Sequence, residues 1–172
     1  MKNYLGFGII FALFLTSCAS VRTIEIDQEQ VPAYRNAVVY GIYDGDGIKT
    51  IRKYTEELVD KMEEEGVRVK LVTKELEKHG LRRNPPILNK EDETTTKLDR
   101  AMREVQAEVL LITSIKVKGE EFGLQVVVLD ADSQKEVWKG MCYVSPSFIT
   151  RGLNAKAGAK NTLEEMQKYG FF

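Results

Sequence analysis

Apolar positions along the chain change their period from element to element. From Asn36 to Tyr43 they run almost without a break and stop at Asp44-Gly45-Asp46-Gly47, which predicts a buried strand ending in a turn. From Thr50 the spacing becomes three and four. Ile51, Tyr54, Leu58 and Met62, with Val59 beside them, share one face, Lys and Glu fill the other, and Gly66 follows as a stop, so this stretch predicts an amphipathic helix. Val67 to Thr73 alternates Val67, Val69 and Leu71 with Arg68 and Lys70, the pattern of a second strand. Strand, helix and strand in this span predict a right-handed parallel crossover. Lys74 to His79 is expected as a helical turn ended by Gly80, and Arg82 to Lys97 as a polar loop. A second helix is predicted after it, with Leu98, Ala101, Met102 and Val105 on one face.

The carboxyl half is strand-rich. Ala107 to Val117, Phe122 to Leu129 and Glu136 to Val144 are three apolar runs, and their short links, Lys118 to Glu121 and Asp130 to Lys135, hold turn formers that allow antiparallel hairpins. A last helix is predicted over Ala155 to Tyr169 with Ala155, Ala159, Leu163 and Met166 as its inward stripe. Phe171 and Phe172 are expected to pack on the sheet or on a partner. The pattern as a whole predicts an α/β (α+β) fold: a mixed sheet with a β-α-β crossover, a helix, an antiparallel three-strand meander and a C-terminal helix.

The first residues carry a different signal. One basic residue, Lys2, precedes an uncharged apolar stretch from Tyr4 to Leu15, the layout of a secretory leader and too short for a membrane-spanning helix of about 20 residues. It ends in Leu15-Thr16-Ser17-Cys18, which resembles the bacterial lipobox: an aliphatic residue, two small ones and the cysteine that is acylated. That resemblance implies cleavage after Ser17 and a lipid on Cys18. Because Ala19 is not the aspartate associated with inner-membrane retention, it further implies the outer membrane, periplasmic face. Residues 19 to 35 are polar, rich in Gln and Glu, and contain Pro32; a short strand around Val21, Thr23, Ile24 and Ile26 is compatible with them, but they read mainly as a tether. The expected organisation is a signal peptide over 1–17, a lipidated cysteine and short tether over 18–35, and a single α/β domain over 36–172.

Composition narrows the function. Removing Lys2 with the leader leaves 24 of the 25 Lys and Arg against 26 Asp and Glu, in a chain that falls from 172 to 155 residues. Such balance argues against nucleic acid or a polybasic membrane-surface role. With Cys18 lipidated, Cys142 is the one remaining thiol, so no internal disulfide forms, and its apolar surroundings mark it as a small buried side chain.

Chemistry is sparse. Gly41, Gly45, Gly47, Lys49 and Thr50 suggest a phosphate loop, but Ile48 breaks the contiguous Gly-Lys-Thr, and Asp44 and Asp46 would repel phosphate. The same aspartates could meet a cation or partner, although the full calcium-loop pattern is missing. The Asp44-Gly45-Asp46-Gly47 segment is thus read first as a turn with a helix cap, and second as a ligand or partner loop. His79 is the single histidine and supplies neither a metal cluster nor a nucleophile triad, and Ser145 and Ser147 flank Pro146 outside any nucleophile elbow. No catalytic residue, metal site or cofactor other than the lipid on Cys18 is predicted.

Two further segments carry a family resemblance. Ala107-Glu108-Val109-Leu110-Leu111-Ile112-Thr113 resembles the opening of the meander, and Leu129-Asp130-Ala131-Asp132-Ser133-Gln134-Lys135-Glu136-Val137-Trp138 its hairpin, in a group of periplasmic domains. The group comprises the amino-terminal domain of TolB, the lipoproteins that activate peptidoglycan synthases, and the curli secretion lipoprotein. The resemblance spans Ala37 to Val144 and implies a non-enzymatic, lipid-anchored module that binds or assembles another envelope component. Two alternatives stay open: a small-ligand or cation binder or enzyme using Asp44 to Gly47, and an oligomeric structural or secretion-accessory lipoprotein.

Overall fold

The apolar run from Asn36 to Tyr43 becomes a central strand because both of its faces are covered: every residue from Ala37 to Tyr43 is buried. The computed structural model describes residues 19–27, 33–43, 48–75, 93–118, 121–144 and 151–172. Their elements in chain order are β1 (Ala19–Ile26), β2 (Asn36–Tyr43), α1 (Ile48–Glu64), β3 (Arg68–Glu75), α2 (Glu93–Val105), β4 (Val109–Lys118), β5 (Glu121–Asp130), β6 (Glu136–Val144) and α3 (Arg151–Gln167). They form a six-stranded mixed sheet in the order β1-β6-β5-β4-β2-β3. β2 pairs in parallel with both β3 and β4, while β4, β5, β6 and β1 pair antiparallel in succession. The α/β class, the crossover strands, the meander and the terminal helix all take the predicted form.

One correction lies at the amino end. Ala19–Ile26, read mainly as tether, is the outermost strand of the sheet, paired from Ala19 opposite Val144 to Ile26 opposite Trp138. Part of the expected 18–35 tether therefore belongs to the domain. A second correction follows β3, where Lys74 and Glu75 continue the strand opposite Ile42 and Tyr43 instead of opening a helical turn. Likewise α2 begins at Glu93, inside the stretch expected as a loop.

Two layers of helix cover the sheet unequally. On one face α1 and α3 enclose the larger core, built on Ile51, Tyr54, Leu58 and Met62 of α1 and on Ala155, Ala159, Leu163 and Met166 of α3. Trp138 and Phe171 close it, their rings edge to face with centroids 6.5 Å apart. Phe171 thus packs inward, as expected of the terminal aromatics. Small residues let α3 approach closely: a Cβ on Gly158 would lie 2.7 Å from the Cys142 sulfur. On the other face, α2 packs Leu98, Ala101 and Val105 against Val38, Tyr40 and Ile42.

Basic residues tend to precede acidic ones along α1 and α3, although α1 also has Lys61 in its last turn. Neither helix has an acid in its first turn. α1 starts with Lys49, Arg52 and Lys53 and ends with Glu63 and Glu64; α3 has Lys156 and Lys160 before Glu164 and Glu165. A charge placed to suit a helix end is worth about 0.3–1 kcal/mol and the reverse placement costs a similar amount, within the first or last turn only, which Lys156 and Lys160 of α3 lie beyond.

Candidate functional site

Three surfaces remain after the cores are built. The first is the edge formed by β1 and α3. Asn161 Nδ2 donates to the Ala19 carbonyl at 2.8 Å, and Thr23 Oγ1 donates to Glu165 Oε1 at 3.0 Å. Lys168 lowers the Glu165 carboxyl below its ordinary value, with the Thr23 hydroxyl helping. Beyond this clamp the outer side of β1 faces solvent. A register shift between Thr23 and Glu25 places Ile24 outward, 52% exposed. A bulge and flanking charges are common protections of an open sheet edge.

The second surface is the sheet face away from α1 and α3. α2 packs on β2 and β3, so β5, β6 and β1 have no helix over them on this side among the described residues. Their side chains there are Gln125 and Val127 of β5, Lys139, Met141 and Tyr143 of β6, and Arg22 of β1, with Lys116 of β4 adjoining. Met141 folds across Gly123, where a Cβ would lie 2.6 Å from its sulfur. Tyr143 is 37% exposed. The result is a flat mixture of aliphatic, aromatic and cationic side chains, with Lys139 bound by Glu136 at 2.8 Å and by Glu25 at 3.7 Å.

The third is a polar depression at the far end of the sheet, lined by Ala33, Tyr34, Gln106, Ala107, Glu108, Asp130 and Asp132. Two of its acids hold chain turns. Glu108 Oε2 accepts the Arg35 and Asn36 backbone N–H groups at 2.6 and 3.0 Å. Asp130 Oδ1 accepts the Ser133 N–H and hydroxyl at 2.8 and 2.7 Å, and its Oδ2 accepts the Tyr34 hydroxyl at 3.3 Å. Burial, and then Asp130, push the Tyr34 hydroxyl up to about 12. The Ser133 bonds hold the Asp130 carboxyl below its ordinary 3.8. A carboxylate so lowered stabilises the folded state above that range and loses the contribution as pH falls through the lowered value. Melting of Asp130→Asn should therefore fall below that of the wild type near neutral pH, and the gap should close under acid. A gap of constant size from neutral pH to about pH 3 would refute this role.

The sequence-predicted site residues fall as follows. Cys18, Leu15, Thr16 and Ser17 lie outside the described residues, as do Asp44, Gly45, Asp46, Gly47, His79, Ser145 and Ser147. Cys142 is buried, and burial pushes its thiol up to about 12. Sequence reasoning missed the clamp on Ala19 and the open face of the meander. Glu108 stood in the quoted Ala-Glu-apolar segment, but its partners at Arg35 and Asn36 are more than seventy residues away. Among the described residues no group of His, Cys, Asp or Glu could hold a metal ion, and no helix is long and apolar enough to cross a membrane.

No protein-family model matches the chain, and no curated protein matches it. Solved structures do. The PelC dodecamer from Paraburkholderia phytofirmans aligns over 83% of this chain and 94% of its own, with a TM-score of 0.51 and 14% identity. A single-residue variant of the same dodecamer, in a second crystal form, gives the same figures. The C-terminal domain of LpoB from Escherichia coli aligns over 67% of this chain and 87% of its own, at 15% identity and a TM-score of 0.43. The PelC alignment establishes a shared fold.

Proposed function

We propose that this chain is a lipoprotein of the bacterial envelope, held to the membrane through Cys18, which acts as a binding or assembly module for another envelope component. The observation that carries this reading is the unequal covering of the sheet. One face is sealed by α1 and α3, whereas on the other, among the described residues, β5, β6 and β1 leave Tyr143 exposed and Val127 and Met141 half-buried beside Arg22 and Lys116, with Gln125 buried between them. An aromatic and a methionine on a flat, partly cationic face suit a protein partner, since such residues are enriched in the centres of interfaces. The lipobox-like Leu15-Thr16-Ser17-Cys18 supports anchoring, and Ala19 after it supports the outer membrane, periplasmic face.

A second reading, assembly with further copies of the chain, is favoured by the PelC fold, because that protein is a dodecamer. The two separate in one experiment. A photocrosslinking residue at Tyr143, in cells fed labelled palmitate, is expected to give an adduct that needs Cys18. An adduct containing a different envelope protein supports a partner, and one at a multiple of the chain's own mass supports assembly. Palmitate label without any adduct from this face would sink the module reading.

A further inference from the structure

The charges of α1 and α3 acquire a direction once the anchor is located. Three side-chain contacts orient α3 against the sheet: Asn161 reaches Ala19, Glu165 reaches Thr23, and beyond the helix Phe171 packs on Tyr34 at the opposite end of the sheet. α1 runs the same way, starting after Tyr43 and ending before Arg68, which pairs with Asn36 at the far end of β2. Gly41, Thr113, Val126, Gly140 and Thr23 form one row across the sheet, so Tyr43 and Ala19 leave that row in the same direction. Both helix N-termini, with exposed Lys49, Arg52, Lys53 and Lys156, therefore lie at the Ala19 end, while Lys160, mid-helix beside Asn161, is level with Ala19. Their acidic halves, Glu63, Glu64 and Glu164 among them, point away from it.

Ala19 is buried and sheet-paired, and its carbonyl is held by Asn161. Cys18 is joined to it by one peptide bond, so the two Cα atoms are about 3.8 Å apart. A lipid on Cys18 thus has no flexible linker between itself and a fixed strand.

We infer that the Ala19 end of the domain docks on the membrane surface, with Lys49, Lys53, Lys156 and Lys160 facing anionic lipid headgroups. The inference rests on the lipid-anchor reading given above. Lysines near an anionic bilayer are attracted over roughly a Debye length, and the positive ends of the two helix dipoles act in the same sense. Lys49 and Lys53 form no ion pair with a described residue, whereas Arg52 is paired with Glu75, Lys156 lies 4.0 Å from Glu57 and Lys160 lies 3.5 Å from Glu164. Glu75 lies opposite Tyr43 at this end and is paired with Arg52, and Glu57 lies near Lys156, so the positive charge left for headgroups at the anchored end rests mainly on Lys49 and Lys53. This orientation also holds Asp130, Asp132 and the far-end depression away from the bilayer.

The test uses the full lipoprotein, purified in detergent and reconstituted into phosphatidylethanolamine vesicles with or without phosphatidylglycerol, and reads lysine acylation by mass spectrometry. Expected is several-fold slower labelling of Lys49, Lys53, Lys156 and Lys160 on the phosphatidylglycerol vesicles than in detergent, reduced by high salt, with Lys135 and Lys168 unchanged. The triple change Lys49→Glu, Lys53→Glu and Lys160→Glu should abolish the protection of the remaining Lys156 while leaving palmitate incorporation intact. Equal labelling of both ends in palmitate-bearing protein would overturn the docking inference and leave the anchor standing. Failure to incorporate palmitate would overturn both. Protection already present in detergent at a multimeric mass would assign the face to a second copy and overturn the membrane assignment.

Discussion

Replacing Trp138 with alanine is expected to cost about 3–5 kcal/mol of folding stability and to lower the melting temperature by roughly 10 °C or more. The ring is fully buried in the larger core, edge-on to Phe171 at 6.5 Å. It lies over Gly140, where a Cβ would come within 2.1 Å of the indole. Removing the ring leaves a cavity between sheet and helices that close-packed neighbours fill only in part. Two companion variants sharpen the test. Gly140→Ala forces atoms into space the indole already occupies and should cost about 1–3 kcal/mol by overpacking. Trp138→Phe keeps an aromatic disc and deletes the indole N–H, which has no hydrogen-bond partner, so it should cost much less than the alanine change. Trp138 is the single tryptophan of the chain, so melting is best followed by circular dichroism. A loss below about 1 kcal/mol for Trp138→Ala would show that the ring does not organise this core.

How much of the fold was legible depended on where each element gets its stability. β2, α1 and α3 are set by burial of their own side chains, and the stripes read from spacing, Ile51-Tyr54-Leu58-Met62 and Ala155-Ala159-Leu163-Met166, are buried as read. β1 is different. Its first half alternates inward and outward, but the register shift at Ile24 breaks the period, so Ile26 returns to the core out of step. Its strand character comes from hydrogen bonds to β6, more than a hundred residues later, and no local pattern carries that information. The extension of β3 through Lys74 and Glu75 has the same cause, because its parallel pairing with β2 outruns its own alternation. For the site, the sequence suggests an anchor at Cys18, yet the surface next to it depends on which way two helices cross the sheet. The reversed charge order, base before acid in both helices, was visible in the sequence; its alignment with Ala19 required the topology.

Deleting Ala19–Ile26 decides whether that segment is tether or structure. As a tether its loss would leave the melting temperature unchanged. As the edge strand its loss removes the buried Ala19 and the half-buried Val21 and Ile26 from the larger core, breaks the Asn161 and Thr23 contacts, and uncovers the hydrogen-bonding edge of β6. Two half-buried aliphatic side chains and the lost polar contacts together amount to about 3 kcal/mol. In a domain of this size that lowers the melting temperature on the order of 10 °C. The freshly exposed β6 edge should also promote self-association, since an unprotected edge templates pairing with another chain. Inserting a short Gly-Ser segment between Cys18 and Ala19 supplies the complementary case. It should leave the melting temperature unchanged, because every β1 contact survives, while, in the proposed lipoprotein, loosening the hold of the lipid on the orientation of the domain. Deletion without a fall in melting temperature would return Ala19–Ile26 to the tether and remove the rigid link between the proposed anchor and the sheet.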